Sequence, residues 1–224
     1  MRRHLKLILS VALLSSWLGV GAVRAADTIF PSTKGSTWTY KYSNGKVLKT
    51  AITASGAHHF TEKISGQISM VVRFKLSPKG WIFADVGKVQ TQHINGQRIK
   101  VKILRASGVV IPRTHLWKNG YRWSFSMNEQ SKVGNGADVA VIDTNIRCEC
   151  KIMGFRTIKV PAGTFHCLRV RTTQTSANQF HIMNQIHTQD LQKHSTEYYA
   201  RGVGLVEVKT GTIIRKLTRY HISG

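Results

Sequence analysis

The chain is short of acid. Ten Asp and Glu stand against 33 Lys and Arg in 224 residues, a formal charge of +23. Cysteine is scarce at three, too few to staple a chain of this length as a disulfide miniprotein. Proline is scarce at four, and no Pro/Ser-rich linker divides the chain. Only one apolar run is long enough to consider as a membrane span, which excludes a polytopic membrane protein. Helical stripes are missing too. The best helical candidate, 178–194, is polar and rich in Gln and His, and reads as a long hairpin or loop with room for a short helix.

Catalytic signatures are likewise absent. There is no Gly-x-Ser-x-Gly elbow, phosphate loop or dinucleotide glycine pattern. The carboxylates available for acid–base work are Asp27, Glu62, Asp85, Glu129, Asp138, Asp143, Glu149, Asp190, Glu197 and Glu207, and none forms a recognisable pair. His58-His59 would face opposite sides of a strand, and His181, His187 and His194 are scattered. With no Cys-x-x-Cys and no His-Glu-x-x-His, neither a metal site nor a redox site is expected. The reading is of a non-enzyme without cofactor.

What is present begins with an export signal. Arg2, Arg3 and Lys6 precede an apolar stretch, 7–20, and Val23-Arg24-Ala25 offers small residues for cleavage before Ala26. We therefore expect a signal peptide at 1–25 and one β-rich domain at 26–224. The processed chain would be periplasmic or secreted, with no transmembrane span. No cysteine precedes Cys148, so no lipid anchor is expected at the cleavage point. Cleavage removes Arg2, Arg3, Lys6 and Arg24 and no acid, lowering the charge from +23 by four to +19. Such a field attracts anionic lipid or an acidic envelope polymer. Export argues against nucleic acid.

Period-two alternation dominates the rest, the mark of half-buried antiparallel strands. Arg98, Lys100 and Lys102 alternate with Ile99, Val101 and Ile103, and Arg169 and Arg171 alternate with Leu168 and Val170. Residues 72–76 and 206–209 repeat the pattern. Trp38, Tyr40 and Tyr42 share one strand face. Asn44-Gly45, Asn95-Gly96 and Asn119-Gly120 are turn signals, as are Pro161-Ala162-Gly163 and Thr210-Gly211. The expected fold is all-β, an antiparallel curved sheet or open half-barrel behind a signal helix.

Three motifs recur in order: Phe30-Pro31 followed by Gly35-Ser36-Thr37-Trp38-Thr39-Tyr40, then Val160-Pro161-Ala162-Gly163-Thr164-Phe165, and Tyr199-Ala200-Arg201-Gly202-Val203-Gly204-Leu205-Val206. The set resembles an uncharacterised family of bacterial envelope β-proteins, distantly similar to the half-barrels of periplasmic lipoprotein carriers. The resemblance implies a concave side able to hold an acyl chain or a peptide, and it supplies no catalytic residue.

The candidate ligand contacts are Trp38, Tyr40 and Tyr42 for an apolar part, with Arg98, Lys100, Lys102, Arg169 and Arg171 for an anionic one. An amphipathic or anionic envelope component is the expected ligand. The alternative is a structural module whose sheet edge or surface docks an envelope protein, and an uncharacterised hydrolase comes third. Cys148, Cys150 and Cys167 either form one disulfide or stay as buried thiols. In regular strands Cys167 would point opposite to its neighbours Leu168 and Val170.

Overall fold

The computed structural model describes residues 29, 31–66, 68–94, 97–133, 140–182 and 185–224. The expected signal peptide at 1–25, the Asn95-Gly96 turn, and Asp27, Phe30 and Asp138 lie outside the described residues. The fold is all-β. Its strands are β1 Thr37–Tyr42, β2 Val47–Gly56, β3 His59–Gly66, β4 Ile68–Ser77, β5 Gly80–Phe83, β6 Val89–Ile94, β7 Gln97–Gly108 and β8 Ile111–Pro112. There follow β9 Arg122–Val133, β10 Ala140–Val160, β11 Gly163–Ile182, β12 Gln185–Ala200, β13 Gly204–Thr210 and β14 Ile213–His221.

Local sequence makes most of these pairings. Asn44-Gly45 joins β1 to β2, with Gly45 at φ +83°, a value open to glycine at no steric cost. Val160 pairs with Gly163 across the Pro161-Ala162 turn, joining β10 to β11. The segment 178–194 holds the end of β11 and the start of β12, paired from Ile182↔Gln185 onward, so the long-hairpin reading describes it. Asn119-Gly120 is different: it follows a 3-10 turn at Thr114–Leu116 and leads into β9 without making a hairpin.

The open half-barrel is corrected. Strand order runs β3-β2-β1-β14-β13-β12-β11-β10-β9-β7-β6-β4, and β4 also pairs β3, so twelve strands close a ring. β5 and β8 hang from β4 as a side flap. Two pairings far apart in sequence create this closure. β1 meets β14 through Thr37↔His221 to Tyr42↔Arg215, joining the two ends of the domain. β4 meets β6 through only Ile68↔Ile94 and Ser69↔His93, which makes a narrow seam.

Alternate residues of each strand fill the ring. Trp38, Phe60, Phe74, Ile152, Val170 and Leu217 are wholly buried in the main core. Phe60 stacks on Phe74 at 4.7 Å, and Trp81 meets Phe60 edge-on at 4.8 Å. A second apolar cluster of Ile68, Ile99, Val101, Val133, Ile142 and Phe180 packs beside it. Among the described residues no helix is long and apolar enough to cross a membrane.

Candidate anion-binding face

The interior comes first, because a concave acyl site was expected there. Cross-strand register places Glu129, Thr144 and Asn178 in one inward row, since directly paired residues share a face. Thr144 Oγ1 donates to Asn178 Oδ1 at 3.0 Å, and Asn178 Nδ2 donates to the Gln189 carbonyl at 3.0 Å. Glu129 is buried, and desolvation pushes its carboxyl up to about 7. Elsewhere inside, Arg215 lies 5.1 Å from the Tyr40 ring centre. Burial drives the Glu62 carboxyl up to about 8 against the opposing pull of Arg215 and a Thr50 hydrogen bond. Tyr199 donates its hydroxyl to Glu197.

One cavity lies among these side chains. The cavity between Cys148, Cys150, Gln174, Lys193, Glu197 and Tyr199 measures about 40 Å³. That holds a few waters and falls far below the roughly 300 Å³ at which small-molecule pockets begin. Trp38, Tyr40 and Tyr42 are buried in the main core. Trp38 Nε1 donates to the Val203 carbonyl at 2.7 Å and the Tyr40 hydroxyl to the Leu205 carbonyl at 3.1 Å, so both rings brace the ring wall.

The cysteines are free and buried, and no disulfide joins them. Cys148 and Cys150 share the inward face, with Thr172 Oγ1 donating to Cys150 Sγ at 3.6 Å. Cys167 does point away from Leu168 and Val170, yet it too is buried. The end of the β10–β11 hairpin folds against β14, where Ala162 N–H reaches the Leu217 carbonyl at 3.2 Å and Phe165 meets Tyr220 edge-on. Burial pushes the Cys148 and Cys167 thiols up to about 12, with Glu197 and Glu207 respectively adding to it, and raises Cys150 further. Thiols held protonated are poor nucleophiles.

The outer face carries the predicted cations. Arg98 and Lys100 are exposed on β7 and Lys102 is half-buried, all on the outward face. Lys132 of β9 stands directly opposite Lys100. Arg169 and Arg171 face outward on β11, where Arg169 donates to the Met153 carbonyl at 3.1 Å. The two rails do not meet. β9 and β10 lie between them, and Lys100 aligns through Lys132 and Val141 with His181, ten residues along β11 from Arg171. That separates them by about 33 Å along the strand.

Arg171 has other company. Its direct partner on β10 is Lys151, whose own partner on β9 is Arg122. Thr196 of β12 and Lys209 of β13 continue the row. Three cations thus sit side by side on adjacent strands, about 5 Å apart. Among the described residues no carboxylate pairs with Arg122, Lys151 or Arg171. Glu149, two residues from Lys151, is held by Arg147 at 2.9 Å, and Glu207 takes Lys209 at 3.1 Å and Lys216 at 3.7 Å. Sequence reading found Arg171 and missed Arg122 and Lys151, because only cross-strand register brings them together.

The histidines do not converge. His181 faces out and pairs with Asp143 at 3.1 Å, His194 meets Thr173 at 3.2 Å, and His187 lies opposite the buried Phe180 on the other face.

The molecule is thus a closed antiparallel β-barrel with a buried apolar core and rows of outward cations. The DUF3108-like family model matches residues 122–212, from the first residue of β9 to the turn after β13, and so takes in the second and third motifs. No curated protein matches the chain. Among solved structures, a candidate lipoprotein from Parabacteroides distasonis is 16% identical, covering 86% of this chain and 98% of that one with a TM-score of 0.46. A candidate exported protein with a YmcC-like fold from Bacteroides fragilis is 11% identical with the same coverages and a TM-score of 0.47. The hypothetical lipoprotein YmcC from Escherichia coli is 9% identical, covering 96% and 97% with a TM-score of 0.40.

Proposed function

We propose that this is an exported, non-enzymatic barrel that docks through its outer face on an anionic, phosphate-bearing component of the cell envelope. The in-register row Arg122, Lys151 and Arg171 carries the reading. Like charges directly opposite one another weaken a sheet and contribute nothing to this fold. A bridging anion turns that repulsion into attraction, and guanidinium groups match phosphate geometry. The signal-like residues 1–25 support export, and the outward setting of the row supports recognition at the surface.

Lipid head groups and soluble polyphosphate share this chemistry, and their binding is separable. The processed chain should bind phosphatidylglycerol vesicles, ignore phosphatidylcholine vesicles, and lose affinity as salt rises. Polyphosphate that binds while vesicles do not would assign the face to a polymer. Each cation near an anionic surface is worth about 1 kcal/mol, so the triple change Arg122→Gln, Lys151→Gln and Arg171→Gln should weaken binding well over tenfold. The triple Lys34→Gln, Lys46→Gln and Lys79→Gln removes equal charge elsewhere. Equal losses in the two triples would show attraction by net charge alone and defeat the assignment.

A further inference from the structure

β12 pairs β11 along its whole length, from Gln185 to Ala200, without a register break. On its other side β13 reaches only Ser195 to Ala200. Gln185–His194 is therefore a ten-residue edge with no strand partner on that side among the described residues. Extended, it spans about 33 Å. Free edges are ordinarily blunted by proline, a bulge, short length, charged side chains or a covering segment. This edge contains no proline and no bulge, no described residue lies over it as a strand, and its charged guards are Asp190 and Lys193.

We propose that the Gln185–His194 edge is a β-augmentation site that accepts an extended acidic segment of a partner protein as an added strand. Backbone N–H and C=O groups along an edge are satisfied in kind by another extended chain, which gives such sites their affinity. Side chains select the occupant. Lys193 points inward and lines the mouth of the interior cavity, together with Ser195, Glu197 and, at the end of β13, Thr210. An added strand would lie across that mouth and bring alternate side chains towards Lys193. An inward-facing cation on an edge disfavours an apolar or basic strand there. Along the outer face a groove of about 530 Å³ follows Asp190 to Gln192 and is flanked by Arg147. The chain carries +23 overall, so a second copy brings like charge to the edge while an acidic segment brings the opposite.

The probe is a labelled ten-residue peptide alternating Glu with Val and Thr, added to the processed chain. Binding should slow amide hydrogen exchange within residues 185–194. Methylating alternate backbone nitrogens of the peptide keeps its charge and removes its ladder donors, and should weaken binding at least tenfold. Replacing its Glu by Lys should abolish binding. The Lys193→Gln variant should narrow the preference for Glu over Gln peptides while still slowing exchange on the edge. The proposal fails if the methylated peptide binds equally well, if protection maps elsewhere, or if no peptide binds. It also fails if sedimentation shows self-association that protects the same amides, which would make the occupant a second copy. None of these readouts depends on vesicle binding.

Discussion

Arg73 Nη1 lies 2.8 Å from Asp85 Oδ2 beside the weakest join in the barrel. Asp85 is almost fully buried and also accepts Gln90 Nε2 at 3.2 Å from β6, while Lys88 stands 3.6 Å away. One carboxylate thus ties β4 to β6, where the backbone ladder supplies only two residue pairs. Asp85→Ala should strand these donors. Arg73 is half exposed and regains water, so the cost should be about 2 kcal/mol rather than that of a fully buried pair. A lower denaturant midpoint with faster amide exchange in β6 is the expected result. Unchanged exchange there would show that the seam closes without this carboxylate.

Glu62 and Glu129 make stability depend on pH. Each is raised from an ordinary 4.5, to about 8 and about 7 respectively, chiefly by burial. Below pH 4.5 folded and unfolded chains both hold these protons, and the contribution is fully present. As pH rises the unfolded chain releases them first, so stability falls until pH passes the folded values. Chemical unfolding should show this decline between about pH 4.5 and 8. Glu62→Gln with Glu129→Gln should flatten it, and a double variant with the parent's slope would assign the decline to other groups.

The three thiols should be silent in the folded protein. Each is buried and held protonated, with the Cys148 and Cys167 values near 12. A thiol reagent at pH 8 should label none in buffer and three in denaturant. Rapid labelling of one in buffer would show that its packing opens readily.

Gly108 closes β7 at φ +82°, and a Cβ there would come 2.3 Å from the Ser124 carbonyl oxygen of β9. Both the backbone angle and the contact exclude a side chain. Gly108→Ala should cost about 3 kcal/mol or more in thermal or chemical unfolding. Gly45→Ala, where nothing lies within 4 Å of the added carbon, should cost less because it meets only the strain of φ +83°.

Much of this barrel is written locally. Alternation at 98–103 placed the cations outside and Ile99 and Val101 inside, as burial shows. Trp38, Tyr40 and Tyr42 do share a face, but whether it lined an open hollow or a packed core depended on strands far away in sequence. The seam at Ile68↔Ile94 carries no turn signal, since its strands are separated by β5 and a loop. Arg122 and Lys151 were unremarkable as residues. Their meeting with Arg171 required the β9–β10 and β10–β11 registers at one point.

Period, turn chemistry and charge are properties of neighbours along the chain, so composition and order by themselves determined an all-β, strongly basic molecule with greasy and cationic faces. Which distant strands join depends on long loops closing and on how side-chain volumes fill the enclosed space, and no short window of sequence contains either quantity. Tertiary structure therefore decided that the sheet closes, that three cations align, and that residues 185–194 of β12 have no second strand beside them among the described residues.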